Sequence, residues 1–373
     1  MNKRKLKGLF VTHNYGLYGA SQSLKLLLRN QKNIDATLVI PRREMLSQQD
    51  KERIGQRFGV EATKIKQFFL PWINCFEGRK TDLQNYFLVA AKNLLWKIDR
   101  NRFHRYVSAG GFDFIHLNSI VLCGIISESH PFIIHIRERL IHYREWVLSQ
   151  VEKAKGVIFI DDSVVPPFLP IDIKDSVILT NPVDMRNCTI HTANGNPFGN
   201  QTVFTMIGRI EEGKGVDFVI DAFRNTSGDQ MRLLIIGDKG DGIHGGFVKH
   251  CRELAAGDPR ISFWGEEKNI SKIYTWCDYI IRGEVDFRMG RSVLEALYSD
   301  CDVIVPIRND QSVKTNEELT KFKSKVHTYL PRDMGSLAKT FLNLSGRKAQ
   351  KLNFHSNING YVKTFNEYIS NVL

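Results

Sequence analysis

Short apolar runs alternate with helix-period stretches along most of the chain, and that alternation predicts a layered α/β protein. Residues 6–12, 36–40, 112–117, 132–136, 157–160 and 177–179 read as buried strands, the second ending at Pro41. Between the first two, Leu24, Leu27 and Leu28 share one helical face after a loop carrying Gly16 and Gly19. Residues 188–201 then break the pattern. They are polar, lack a period and contain Gly195, Pro197 and Gly199, as an interdomain linker should. Alternation resumes with strands expected at 203–207, 232–236, 261–264, 279–281 and 303–305, and a helix closes the chain near 361–372. The pattern therefore predicts a first Rossmann-like domain over 1–187, the linker 188–201, and a second over 202–355. A final helix in 356–373 is expected to return to the first domain.

Length and composition narrow the class. At 373 residues the chain exceeds one ordinary core and suits two domains. No apolar run reaches the ~20 residues of a membrane span, and the segment after the Lys-rich start is too short for a signal sequence, so a cytoplasmic protein is expected. The six cysteines form no C-x-x-C pair, which argues against a zinc ribbon or disulfide framework and suggests small buried apolar residues. A net charge of +12 calls for an anionic partner. No helix-turn-helix, RNP or finger spacing is present, so nucleic acid is not expected. Residues 85–105 offer another partner. Leu88, Ala91, Leu95 and Ile98 form one helical stripe, with Trp96, Lys97, Arg100, Arg102 and Arg105 beside it. An interfacial tryptophan with basic flanks suits an anionic membrane surface, and an amphipathic core helix with a solvated basic edge explains the same pattern.

The densest chemical signal lies at 208–215, Gly-Arg-Ile-Glu-Glu-Gly-Lys-Gly, between the apolar run 203–207 and a helix with Val216, Val219, Ile220 and Phe223 on one face. A helix start after a parallel strand offers free N–H donors and a positive dipole end to a phosphate. Arg209 can fork onto such a group and Lys214 adds a mobile charge, while Gly208, Gly213 and Gly215 allow close backbone approach.

An ordered set of motifs over roughly residues 177–306 resembles the retaining GT-B glycosyltransferases sometimes called family 4, the glycosyl transferases group 1. They are Asn181-Pro182-Val183-Asp184, Gly208-Arg209 with Lys214-Gly215, and Leu234-Ile235-Ile236-Gly237-Asp238. Phe263-Trp264-Gly265 with Ile273, Tyr274 and Asp278 follows, then Gly290-Arg291-Ser292-Val293-Leu294-Glu295-Ala296-Leu297. The first half matches more loosely, through Gly16, Gly19-Ala20-Ser21, the stretch 112–116 and His135-Ile136-Arg137-Glu138. The resemblance implies two doubly wound domains facing each other across a cleft. It also implies transfer of a sugar from a nucleotide-sugar to a glycan or polyprenyl-linked glycan, as in bacterial O-antigen or capsule synthesis at the inner face of the cell membrane.

Its residue-level implications follow. Arg209 and Lys214 would neutralise the departing diphosphate, and Glu295 would hold the ribose within a donor-binding set including Gly16, Gly19, Gly208, Gly265, Glu266, Gly290, Arg291 and Ser292. His135 or Arg137 would orient the acceptor or assist the leaving group, and His116, Asn118 and Glu138 would line the acceptor side. A lone core histidine is the plain alternative for His135. The family's first glutamate falls here on Phe287; Glu284 and Asp286 are the nearby substitutes, and sugar choice is the least transferable property. The triplet Asp300-Cys301-Asp302 reads as a surface turn rather than a metal-holding D-x-D, so no metal or other cofactor is expected. The rival readings are a sugar-nucleotide epimerase or phosphorylase on the same frame, and a catalytically silent homologue acting as a scaffold.

Overall fold

The computed structural model describes residues 4–16, 19–76, 83–186, 188, 197–237, 245–267, 269–285, 287, 289–307, 317–347 and 354–373, with backbone alone at 83–86 and 270–271. The chain divides into two compact units, Met1–Pro182 with Asn357–Leu373, and Val183–Ser356. The division falls at Val183, ahead of the sequence-predicted linker, because Val183 and Met185 are buried in the second unit's core and Met185 N–H donates to His355 C=O at 3.0 Å. Residues 189–196 of that linker lie outside the described residues.

The first unit is built on a seven-stranded parallel sheet of order β3-β2-β1-β4-β5-β6-β7. Its strands are β1 (Leu6–Val11), β2 (Ile34–Pro41), β3 (Ile65–Phe68), β4 (Phe114–Leu117), β5 (Phe132–Ile136), β6 (Gly156–Phe159) and β7 (Ser176–Ile178). Alternate residues feed two cores. Leu9, Val11, Ile115 and Ile134 join one side, and Phe10, Phe114 and Ile133 join the other, which is why these strands read as continuous apolar runs. Helices α1 (Gly19–Asn30) and α2 (Gln48–Phe58) cover the second side. The C-terminal helix Ile358–Val372 lies on that side too, burying Ile358, Tyr361, Phe365 and Ile369. Helix α3 (Leu83–Gly110) covers the first, and α4 (Arg144–Val151) packs there through Val147, Leu148 and Val151.

Helix α3 departs from both readings of residues 85–105 in one particular each. Trp96 is 6 % exposed and packs edge-on to Phe103, with ring centroids 5.6 Å apart, so it belongs to the core. The stripe that the core-helix alternative would bury is exposed: Leu88 is 60 % exposed and Ile98 71 %. The helix has two apolar faces, and Trp96, Phe103 and Val107, spaced i, i+7, i+11, mark the one that meets the sheet.

The second unit carries a six-stranded parallel sheet of order β10-β9-β8-β11-β12-β13. Its strands are β8 (Thr202–Ile207), β9 (Met231–Ile236), β10 (Ile261–Gly265), β11 (Tyr279–Ile281), β12 (Asp302–Pro306) and β13 (Val326–Tyr329). The helices are α5 (Val216–Arg224), α6 (Gly245–Ala255), α7 (Ile270–Trp276), α8 (Arg291–Leu297), α9 (Glu317–Lys321) and α10 (Met334–Leu344). In α5, Val216, Val219, Ile220 and Phe223 are all buried, as their spacing requires. Burial of each is worth ~2 kcal/mol. Both units are thus Rossmann-like parallel-sheet domains. Each sheet reverses its order once, between β1 and β4 in the first and between β8 and β11 in the second. Ligands of open α/β sheets bind outside the carboxyl ends of the strands at such reversals.

The cysteines behave as buried apolar residues: five are buried, Cys188 is intermediate, and all are free. Burial raises the Cys123 and Cys251 thiols to about 12. Among the described residues, no helix is long and apolar enough to cross a membrane.

Candidate functional site

In the second unit the reversal point gathers charged side chains from both flanking strands. After β8 the chain enters Gly208, exposes half of Arg209 and buries Ile210, which anchors the loop in the core. A 3-10 turn, Glu212–Lys214, leads to Gly215, whose left-handed backbone (φ 62°) opens α5. A Cβ at Gly215 would fall well within 3.0 Å of the Gly283 carbonyl, and one at Gly283 would meet that of Gly215. The loops after β8 and β11 therefore touch backbone to backbone, and only glycine fits. The same logic runs the other way along the sheet. A Cβ at Gly237 would overlap the Gly208 carbonyl, and Gly237 N–H donates to Gly265 C=O at 3.0 Å. Gly208, Gly237 and Gly265 thus bring the ends of β8, β9 and β10 together, with Glu266 exposed just beyond.

The loop after β11 supplies Arg282, which the sequence reading did not single out. Its signal was present: an apolar strand followed at once by an arginine and a glycine, as at Gly208-Arg209. Arg282 donates Nε to Glu284 Oε2 at 3.0 Å, Nη2 to Glu284 Oε1, and Nη1 to Ser292 Oγ at 3.0 Å. Tyr329 O–H holds the Arg282 carbonyl at 2.7 Å, and burial, then the neighbouring Glu284 charge, pushes that phenol's pKa well up. Lys214 Nζ reaches Glu284 Oε1 at 3.4 Å, and Arg209 lies 3.3 Å from Glu211. Glu284 is therefore shared by two cations, one from each flanking loop. Asp286 lies outside the described residues. Phe287 packs partly buried against the core that contains Met289, Val293 and Leu294.

Glu295 sits one helical turn along α8, with Gly290 as its N-cap residue. It accepts from Arg291 Nη2 at 2.7 Å and from Tyr274 O–H at 3.2 Å. Tyr274 is fully buried, and burial followed by the Glu295 charge keeps its phenol protonated. A carboxylate fixed on both sides in this way keeps a lone pair for a further donor. Asp300 pairs with Lys325 and, at 3.8 Å, His355, and Asp302 with His327 at 2.8 Å. The two carboxylates of the acidic triplet are thus already partnered, Asp300 by Lys325 and Asp302 by His327.

The first unit's candidates do not form an open surface. Arg137, just past β5, donates Nε to Asn118 Oδ1 at 3.2 Å and Nη1 to Asn181 Oδ1 at 2.9 Å, and Nη2 lies 3.1 Å from His135 Nδ1. A guanidinium only donates, so His135 Nδ1 accepts and its proton resides on Nε2. Asn118 ties this hub to α1 through Nδ2 on Ala20 C=O at 3.0 Å, and Ser23 Oγ donates to Asn181 Oδ1 at 2.7 Å. Two expectations are corrected here. His116 and His135 have no exposed surface, because their strands are covered on both faces. His116 packs among Phe10, Phe365 and His135, and neither of its ring nitrogens has a hydrogen-bond partner among the described residues. Burial first, then Arg137, lowers the His116 pKa to about 3 and that of His135 well below its usual value. Both rings are neutral core groups. Glu138 turns inward as well, accepting from Ser119 Oγ at 2.6 Å and from Ile120 and Arg137 N–H, both at 3.3 Å. Burial raises its pKa. In the loop after β1, Gly16 N–H is held by Asn14 Oδ1 at 2.6 Å, and its carbonyl accepts from Arg57 Nη2 at 2.9 Å. Gly19 is the first residue of α1.

Solved structures resembling this chain include Anabaena HepE in complex with UDP and glucose (14 % identity, 98 % of this chain and 100 % of that one, TM-score 0.70). A glycosyltransferase from Rickettsia africae resembles it at 14 % identity, 99 % of each chain and TM-score 0.67. The lipopolysaccharide outer core galactosyltransferase WaaB does so at 15 % identity, 99 % and 100 % coverage and TM-score 0.65. The common ground is the fold, two Rossmann-like units of GT-B type. No curated protein sequence matches the chain. Residues 201–329, which carry Arg209, Lys214, Arg282, Glu284 and Glu295, match the family of glycosyl transferases group 1.

Proposed function

We propose that this protein is a glycosyltransferase that moves a sugar from a nucleotide-sugar to a glycan or lipid-linked glycan, retaining the anomeric configuration and working without a metal. The observation that carries this reading is the convergence of Arg209, Lys214 and Arg282 on the strand ends at the β8/β11 reversal, within the segment that matches glycosyl transferases group 1. Cleavage of a sugar–diphosphate bond builds negative charge on the leaving phosphate oxygens. Fixed cations and N–H donors at that spot lower the barrier more than they stabilise the ground state. Lys214 sits on Glu284 and Arg209 beside Glu211, so an arriving diphosphate exchanges one anionic partner for another without moving the loop backbone. Arg282 remains clamped by Glu284 and Ser292 and acts as a fixed positive wall. Glu295, steadied by Arg291 and Tyr274, is the acceptor offered to the ribose hydroxyls. Retention and metal independence rest on the family resemblance and on these cations, with Asp300 and Asp302 already engaged by Lys325 and His327.

HepE was solved with UDP, with UDP-glucose, and with UDP and glucose, so uridine diphosphate sugars are the first donors to test. The assay is release of nucleoside diphosphate from a panel of nucleotide-sugars, with and without chelator, and NMR of the product anomer. Turnover that survives chelation with retained configuration supports the proposal. A second reading, a non-catalytic homologue, is favoured by Phe287, which fills the place of the family's first glutamate with a core side chain. Absence of binding to every nucleoside diphosphate tested would establish it.

A further inference from the structure

We infer that the hollow along the outer edge of β3 holds the carboxylate or phosphate groups of an acidic glycan, and that the acceptor is a glycan of this class. The inference rests on the transferase reading above and adds a substrate class to it. Strand β3 is the edge of the first sheet, two strands or about 10 Å from β1, where the strand order reverses. Residues at both ends of β3 line the hollow. Thr63 precedes its start, and Arg42 follows Pro41, which pairs with its last residue. The hollow therefore runs the length of a four-residue strand, about 13 Å, with a volume of about 630 Å³. That volume suits a small-ligand site.

Four cations border it, Arg42, Lys51, Lys66 and Arg102, and no carboxylate does among the described residues. Three of them are oriented by neutral partners. Lys66 Nζ donates to Thr63 C=O at 2.8 Å, and the Arg42 guanidinium sits 5.1 Å from the Phe69 ring centroid. Arg102 lies 4.9 Å from the Phe68 ring and donates Nη2 to Gln67 C=O at 3.1 Å. Carbonyls and aromatic faces aim a cation without neutralising it. Arg42, Lys51 and Lys66 form no ion pair with a carboxylate among the described residues, whereas Arg102 holds Asp99 at 3.3 Å. Elsewhere in the same unit Lys64 holds Asp35 at 2.6 Å and Arg53 holds Asp50 at 2.8 Å. Cations that are aimed but left uncompensated around one hollow favour an anionic occupant. Met45, 71 % exposed, adds an apolar surface for the C–H face of a sugar ring. No aromatic side chain lines the hollow among the described residues, so the bases of a nucleic acid would find no stacking platform there. A free polyphosphate would leave Met45 uncovered.

The test is calorimetric titration of the full chain, without any nucleotide-sugar, with hexagalacturonate, phosphorylated maltohexaose, plain maltohexaose and tripolyphosphate. Lys51→Gln/Lys66→Gln removes two cations of the hollow, and an unchanged thermal melt shows that it folds. Arg209→Ala/Lys214→Ala is the converse control, because a polyanion lodged in the second unit would lose its partners there. The expected result is salt-sensitive binding of at least one acidic hexaose and none of maltohexaose. The glutamine variant should bind about 10-fold more weakly, at roughly 3-fold per partly exposed charge pair, and the alanine variant like the parent. The tighter-binding acidic hexaose names carboxylate or phosphate as the group recognised. No binding of either acidic hexaose, equal binding of maltohexaose, tighter binding of tripolyphosphate, or undiminished binding by the glutamine variant would overturn the inference. So would loss of binding in the alanine variant. With no donor present, each of these results leaves the transfer reading to be decided separately by release of nucleoside diphosphate.

Discussion

Replacing Gly215 with alanine tests whether the contact between the loops after β8 and β11 builds the cationic site. Gly215 has φ 62°, a conformation that costs an ordinary residue ~1–2 kcal/mol. Its new methyl would also fall well within 3.0 Å of the Gly283 carbonyl, a backbone atom that cannot swing aside. Overpacking of this kind costs a further ~1–3 kcal/mol. Together the two effects destabilise the second unit by ~2–5 kcal/mol, a fall of roughly 5–15 °C in its unfolding midpoint. To relieve the overlap, the loops must move apart until ordinary contact at 3.4–4 Å is restored, carrying Lys214 away from Glu284. Affinity for a nucleoside diphosphate should fall with stability. Gly213, two residues earlier, is the matched control, because a Cβ there meets nothing within 4 Å. Its alanine variant should stay within ~0.5 kcal/mol of the parent. Thermal unfolding and calorimetric titration with UDP on both variants decide the matter. If the two alanines behave alike in stability and affinity, the loop contact plays no such part.

His116 predicts an acid-sensitive first unit. Its folded pKa of about 3 lies below the unfolded value of ~6.5, so the unfolded chain binds the extra proton and stability falls as pH drops below ~6.5. Between pH 7 and 5 that single ring accounts for a loss of ~2 kcal/mol, and His116→Phe should lose that much less in denaturant titrations at the two pH values. Identical acid limbs would contradict the neutral assignment. Arg137→Met leaves Asn118 Oδ1 and His135 Nδ1 without their donor and should destabilise the first unit by ~2–4 kcal/mol. Diphosphate affinity should stay unchanged in that variant. Loss of turnover without loss of stability would instead make Arg137 catalytic.

Much of the fold was legible because buried parallel strands write themselves as apolar runs. Strands β3 and β13 were not, since each is a four-residue edge strand diluted by polar residues: Lys66 and Gln67 in one, His327 and Thr328 in the other. Helix α3 misled for the opposite reason. Both of its faces are apolar, and periodicity cannot say which one the sheet covers. The loop 208–215 was readable from glycines and cations in order, and its meaning depends on what β11 brings to it, which no local spacing reveals. Arg282 therefore escaped, and so did the sharing of Glu284 between two loops. His116 and His135 looked functional because histidine at a strand end suggests chemistry; the C-terminal helix, over two hundred residues downstream, covers that face and makes His116 core.

The central claim is that Arg209 and Lys214 hold the diphosphate of a nucleotide-sugar as it leaves. The most direct measurement is the rate of nucleoside diphosphate release by the parent, Arg209→Ala and Lys214→Ala in the presence of chelator. The predicted result is metal-free turnover that falls by ~100-fold or more in each variant, equivalent to ~2–4 kcal/mol of transition-state stabilisation, with folding intact. Parent-like turnover in both variants would contradict the account.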